Sequence, residues 1–267
     1  MHLKSVRFSP PQHTAALQYP FTIPLVQAAP QIDFTAPVTF FVGENGTGKS
    51  TLMEAIACAS GVITVGAEDT HNDPSLAAVR SLAKTLRLTW HKRTRKGFFL
   101  RSEDYFGYVR RMARMRAELA HDLQAAEDEY RDKSALARAL GTMPYRRELN
   151  NLNTRYNGDL DERSHGESYL AFFQARFVPQ GLYLLDEPEA PLSPIRQLAL
   201  IVLLRQMVAH GAQFIIATHS PILMAFPGAV ILTFDQVPPR PVAYDDLEHV
   251  TLTRDFLNHP QRFLDRL

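Results

Sequence analysis

The chain has 267 residues, 29 Lys and Arg against 28 Asp and Glu, a net charge of +1 and 45% hydrophobic residues. This fits one large packed domain, or a domain carrying a sizeable insertion, and excludes a disordered chain. The near-neutral balance gives no global field to draw nucleic acid or an anionic membrane. The single cysteine, Cys58, excludes an intramolecular disulfide and fits a reducing, cytoplasmic setting, read at its place in the chain as a buried small apolar residue.

Met1–Arg7 has no apolar core of signal-peptide length. Residues 1–37 are proline-rich, with short strands predicted at Val6–Phe8 and Phe21–Ile23. Val38–Val42 is an apolar run of buried-strand type, and Leu52–Ala57 opens a helix. Between them stands Gly43-Glu44-Asn45-Gly46-Thr47-Gly48-Lys49-Ser50-Thr51, a complete Walker A phosphate loop. Gly43, Gly46 and Gly48 let the backbone wrap a polyphosphate, with Asn45, Thr47 and Thr51 completing the loop. Lys49 supplies a charge for the β- and γ-phosphates, and the Ser50 hydroxyl is placed to ligate Mg²⁺. The following helix offers its positive end to the same anion.

Leu86–Trp90 and Gly97–Leu100 read as strands flanking a basic turn, His91–Lys96. From Tyr105, apolar residues recur at steps of three and four through Tyr108, Met112, Met115, Leu119, Leu123, Ala126 and Tyr130. This predicts one long amphipathic helix over 105–140, whose stripe packs on the body or serves as an arm for a partner. Residues 141–163 are polar with no clear periodicity, and a helix is predicted from Ser168 to Phe177. Gly181–Leu185 is a second buried strand, ending in Asp186-Glu187. Pro194–His210 is a helix, Gln213–Ala217 a third strand ending in Thr218-His219, and Ala229–Thr233 a fourth. The longest apolar run, Leu198–Leu204, stops at Arg205, far short of the ~20 residues that span a bilayer, so a soluble chain is expected. Thr251–Leu257 reads as a helix with no functional assignment. The fold class is α/β: a mostly parallel central sheet flanked by helices, with an N-terminal antiparallel β portion. One domain, 1–267, is expected, with a helical insertion at about 104–178.

A carboxylate at the carboxyl end of a buried strand lies at the ligand edge of such a sheet. Asp186 is placed to hold Mg²⁺ with Ser50, and Glu187 to act as general base on the attacking water. Alone, the pair reads as well as loop carboxylates capping the next helix; the phosphate loop upstream favours the metal. His219 leaves another strand toward the same edge, within reach of the γ-phosphate or the attacking water. Ser164-His165-Gly166-Glu167 opens a helix, either as an anion site or as an ordinary capping box.

Taken in order over residues 38–233, these motifs resemble the ABC-type ATPase family of P-loop NTPases, in the small soluble branch related to the heads of DNA-repair and SMC-like ATPases. The resemblance implies ATP and Mg²⁺ as cofactors and a head-to-tail homodimer. ATP at Lys49, Ser50 and Asp186 of one chain would be covered by Ser164 and Gly166 of the other, and hydrolysis through Glu187 would release them. Against the family pattern, the signature reads Ser-His-Gly-Glu, and Ala190-Pro191-Leu192-Ser193-Pro194 replaces Ser-x-Leu-Asp. Arg101-Ser102-Glu103 stands where the glutamine loop belongs, with Glu103 a substitute, and Tyr19 or Phe21 is the aromatic for adenine.

The output expected is an ATP-driven switch that controls a partner protein or effector. The alternatives are a DNA-binding repair ATPase, the nucleotide subunit of a membrane importer, and a catalytically dead binding module. The DNA reading would use Lys92–Lys96 and Arg110, Arg111, Arg114 and Arg116, but Glu118, Asp122, Glu127, Asp128 and Glu129 follow closely and favour a solvated face. The importer reading suffers from the poor glutamine-loop match, and the dead module from the presence of both Glu187 and His219.

Overall fold

The computed structural model describes residues 1–9, 18–65, 77–155 and 165–265. They fall into two compact units, Met1–Ser102 with Phe177–Leu267, and Glu103–Arg176.

In the first unit a small antiparallel sheet comes first: β1 (Leu3–Phe8) lies between β2 (Gln31–Asp33) and β5 (Leu86–Trp90). The central sheet is ordered β10-β9-β3-β8-β7-β6-β4. Its strands are β3 (Val38–Val42), β4 (Ile63–Thr64), β6 (Gly97–Arg101), β7 (Leu182–Asp186), β8 (Gln213–Ala217), β9 (Val230–Thr233) and β10 (Arg240–Pro241). All pair in parallel except β10 with β9. β3, β7 and β8 are rich in β-branched, aromatic and leucine side chains and are buried at every position, the mark of a parallel sheet covered on both faces. The register sets Phe41 beside Ala217, Ala217 beside Asp186 and Asp186 beside Arg101. The carboxyl ends of β3, β8, β7 and β6 therefore stand at one level.

Proline opens four helices of this unit, its fixed φ suiting a first turn that needs no N–H. These are α1 (Pro24–Ala28), α7 (Pro194–Ala209), α8 (Pro221–Met224) and α10 (Pro260–Leu264). The other helices are α2 (Lys49–Ser60), α3 (Ala77–Ala83) and α9 (Glu248–Asn258). Cys58, on α2, is half-buried rather than buried.

One expectation is corrected here. Phe21–Ile23 is not a strand: Phe21 and Ile23 give their N–H groups to Gln18 and Pro20 in the turns that lead into Pro24. The strands expected on either side of the basic turn are both present, β5 in the small sheet and β6 in the central one.

Gln213, fully buried, ties β1 to β8. Its Oε1 accepts the His2 and Leu3 N–H groups at 2.7 and 2.8 Å, and its Nε2 donates to the Leu3 carbonyl at 2.9 Å.

The second unit consists of α4 (Ser102–Glu129), continuing from the first unit, α5 (Ala135–Arg155) and α6 (His165–Arg176). The single helix expected over 105–140 is thus two, and α5 runs through the first half of the segment that showed no periodicity. The chain turns at Tyr130–Lys133, and the Ser134 hydroxyl caps α5 by accepting the Ala137 N–H at 3.2 Å. At Gly141 a Cβ would meet the Tyr130 ring at 2.9 Å, so a larger residue there would have to push that ring aside. An Arg146–Glu127 ion pair of 2.6 Å links α5 back to α4. At its start the stripe is buried: Tyr105 packs edge-on to Tyr169 at 4.5 Å between ring centres, and Tyr108 to Phe172 at 5.4 Å. Farther along, Met115 is 41% exposed.

Candidate active site

β3 ends at Val42 and the chain enters the phosphate loop. Gly43, Gly46 and Gly48 all have positive φ, at 138°, 84° and 96°. At two of them space forbids a side chain as well. A Cβ on Gly43 would come within 2.8 Å of Asp235 Oδ1, and one on Gly48 within 2.9 Å of Ile23 Cγ2. Asp235, just past β9, latches the loop by accepting the Glu44 N–H at 2.7 Å. The Thr47 hydroxyl donates to the Glu44 carbonyl at 2.9 Å, while Asn45 stays exposed.

Lys49 is buried at the start of α2, its Nζ donating to the Gly43 and Glu44 carbonyls at 2.5 and 2.9 Å. Burial pulls its pKa below the usual lysine value, and Asp186, Asp235, Glu187 and Glu44 oppose this. Ser50 is exposed, and Thr51 Oγ1 lies 3.2 Å from the exposed Tyr19 hydroxyl. Of the two aromatics expected to meet adenine, only Tyr19 is available. Phe21 is corrected: its ring belongs to the hydrophobic core and is 7% exposed.

Asp186 ends β7 and is buried, which pushes its pKa up to about 6. A hydrogen bond from Ser50 and the charge of Lys49 work against that shift, and Glu187 and Glu54 add to it. A buried carboxylate joined to a hydroxyl is a pair of hard oxygen donors, the chemistry Mg²⁺ takes. Glu187 follows in a left-handed backbone conformation, φ 49°, held by its N–H on the Ala217 carbonyl at 2.9 Å. That bend aims a half-exposed carboxylate out of the sheet edge, and His219 Nε2 lies 4.0 Å from its Oε1.

Lys49, Ser50, Asp186, Glu187 and His219 therefore share one edge of the first unit. Gly166 lies in the first turn of α6, in the second unit, and Ser164 lies outside the described residues. Glu103 takes an exposed position in the first turn of α4. Arg101 pairs instead with Glu54 of α2 at 3.1 Å.

Sequence reasoning missed Asp235 and Glu189. Asp235 carries the signal that marked Asp186, an acid just past a buried strand. Glu189 accepts the His219 N–H at 2.8 Å. The C-terminal helix also gains a place. A cavity of about 370 Å³ beside the loop is lined by Glu44, His219 and Asp235, and by Glu248, His249 and Leu252 of α9. Among the described residues no helix is long and apolar enough to cross a membrane.

Two family models match the chain. One, described as "AAA domain", covers residues 26–96. The other, described as "AAA domain, putative AbiEii toxin, Type IV TA system", covers residues 70–225, more than half of the sequence. No curated protein matches it. Among solved structures, it is similar to the Smc head domain of Pyrococcus furiosus bound to the C-terminal domain of ScpA. Identity there is 11%, with 97% of this chain and 99% of that one covered, at a TM-score of 0.46. It is similar to the SMC head domain of Thermotoga maritima at 16% identity, covering 91% and 98%, with a TM-score of 0.41. A dimeric bacterial ABC transporter cassette is 14% identical over 91% of this chain and 100% of its own, at 0.43.

Proposed function

The chain belongs to the AAA-domain family whose model covers residues 70–225, and from that premise we propose that it is a P-loop NTPase of the ABC and SMC-head type that binds ATP with Mg²⁺, hydrolyses it, and uses the cycle as a dimerisation switch for a partner protein. The observation that carries this reading is the common level of the strand ends, which brings Glu187 and His219 to the edge where the phosphate loop begins.

Gly43, Asn45, Gly46, Thr47, Gly48 and Thr51 form the cradle. Lys49 would release its loop carbonyls for the β- and γ-phosphates, an exchange of neutral acceptors for charged ones. Ser50 and Asp186 would hold Mg²⁺, which when bound neutralises phosphate charge. Glu187 takes the proton of the attacking water, and its half-exposed carboxylate is free to meet that water. His219 orients the same water or the γ-phosphate. Ser164 and Gly166 of a second copy would cover the nucleotide, so two bound ATP join two chains and hydrolysis separates them. The switch works because these contacts differ between the open and closed forms. A lone cysteine fits a reducing cytoplasm for this cycle.

Size-exclusion chromatography with light scattering on Glu187→Gln tests the proposal. The expected outcome is a monomer that doubles its mass only with ATP and Mg²⁺. An unchanged mass with ATP bound would remove the switch and leave a monomeric sensor, while a failure to bind ATP would remove the nucleotide reading altogether. A DNA-binding reading draws on the exposed basic turn at Lys92, Arg93, Arg95 and Lys96. Duplex binding that weakens steeply with salt would favour it.

A further inference from the structure

Two strand-end turns meet at the candidate site. One, after β7, carries Glu187; the other, after β8, carries His219. Their backbones touch once, through the Glu187 N–H on the Ala217 carbonyl. Beyond that point the relative position of the two side chains depends on what joins the turns. Glu189 joins them. Its Oε1 accepts the His219 backbone N–H at 2.8 Å. Its own turn is fixed by the Leu192 N–H on the Glu189 carbonyl at 2.8 Å and by the Ala190 N–H on the Glu187 carbonyl at 3.1 Å. A second tie, Ser220 Oγ to Gln197 Oε1 at 2.5 Å, holds the far side of the histidine turn.

The cost of this arrangement marks it as more than incidental. Glu189 Oε2 is buried with no hydrogen-bond partner among the described residues. An acceptor buried without a partner is destabilising, and the one bond this carboxyl makes in return, among the described residues, is to the His219 turn. Burial is also the main cause raising the Glu189 pKa, against the hydrogen bond from the His219 N–H.

We propose that Glu189 is a positioning residue for ATP hydrolysis, a side-chain clamp that holds the His219 turn against the Glu187 turn and so sets the approach of the histidine to the general base. This rests on the hydrolysis reading above. Glu189 touches neither nucleotide nor water in this role; it acts through His219.

The test uses the full chain and four variants, Glu189→Ala, Glu189→Met, Glu189→Gln and His219→Ala, together with the double variant Glu189→Ala/His219→Ala. Steady-state ATP turnover, equilibrium ATP binding and amide hydrogen exchange at His219 without nucleotide are measured. Glu189→Ala and the volume-preserving Glu189→Met should lower kcat roughly 10- to 100-fold, the scale of a small misplacement at a reacting centre. ATP affinity should stay within about twofold, since the phosphate loop is untouched, and the His219 amide should exchange faster. Glu189→Gln should restore kcat, because its amide oxygen accepts the same N–H. In the His219→Ala background, removing Glu189 should cost nothing further. Unchanged kcat in Glu189→Ala and Glu189→Met, or an undiminished loss in the double variant, overturns the clamp while leaving the ATPase intact. Unchanged exchange at His219 overturns it as well. A wild-type chain that binds ATP without turning it over instead removes the hydrolysis reading, and the inference falls with it.

Discussion

The two units of this molecule are held in different ways. The first is built around a sheet whose strand ends are set by ladder register and tied by long-range hydrogen bonds, from buried Gln213 in the core to exposed Asp235 on the phosphate loop. The second is three helices with an aromatic cluster near the start of α4 and a long mixed-charge surface. On α5, Leu136, Leu140 and Met143 are 71%, 58% and 55% exposed. A site that needs side chains fixed to fractions of an ångström belongs in the first kind of structure. The second kind tolerates change on its surface.

The contrast breaks most severely at Gln213. Gln213→Ala leaves the His2 and Leu3 N–H groups and the Leu3 carbonyl without their partner in the core. At about 1–3 kcal/mol for each buried group left unmatched, the expected loss is about 3–5 kcal/mol of stability. Denaturant unfolding reads it, and a loss under about 1 kcal/mol would mean water replaces the amide and the small sheet is not tied through this residue.

Lys49→Ala comes next, as a loss of function with the fold kept. It removes the charge aimed at the phosphates, worth one or two charge-assisted hydrogen bonds, and ATP affinity should fall about 10- to 100-fold. Calorimetric titration with ATP checks this, and an unchanged affinity would exclude the loop as the nucleotide site.

How much of this could be read beforehand divides along the same line. β3, β8 and the helix after the phosphate loop are legible because buried parallel strands and glycine loops are local signals. The partition of β5 and β6 into different sheets is not, since pairing is a contact between distant residues. Glu189 and Asp235 escaped for that reason: each acts on a loop far away in sequence. In the insertion, the 3/4 apolar steps stop at Tyr130, and the serine cap at Ser134 was the sign of a new helix. The buried glutamine at the head of β8 looks like any polar residue opening a strand, until its three bonds are seen.

Acid should sharpen the picture of the first unit. Burial raises the Asp186 pKa from 3.8 to about 6, so the folded chain takes up this proton before the unfolded chain does. Ionised Asp186 is therefore a burden on the fold above about pH 6, on the order of 3 kcal/mol, and it is relieved as the pH falls from there toward 3.8. Under the proposed assignment metal binding would run the other way, because Mg²⁺ would need the carboxylate. The Mg²⁺ dependence of ATP binding should weaken by up to about tenfold per pH unit below about 6. Asp186→Asn should flatten that profile; a slope that persists in the variant would place the proton elsewhere.

The smallest effect is expected on the surface of the second unit. Leu136→Gln with Leu140→Gln replaces two exposed leucines on one face of α5 with residues of similar helix propensity. Neither side chain is buried in the isolated chain, so stability should stay within about 0.5 kcal/mol and ATP affinity should not move. Thermal unfolding and nucleotide titration together check this. The value of the pair lies in the contrast with Gln213: the same amide side chain is indispensable where it matches three buried backbone groups and indifferent where it meets water. A loss of more than about 1 kcal/mol here would mean that α5 is covered by something the isolated chain supplies to itself, such as a second copy, and the unfolding midpoint would then rise with protein concentration.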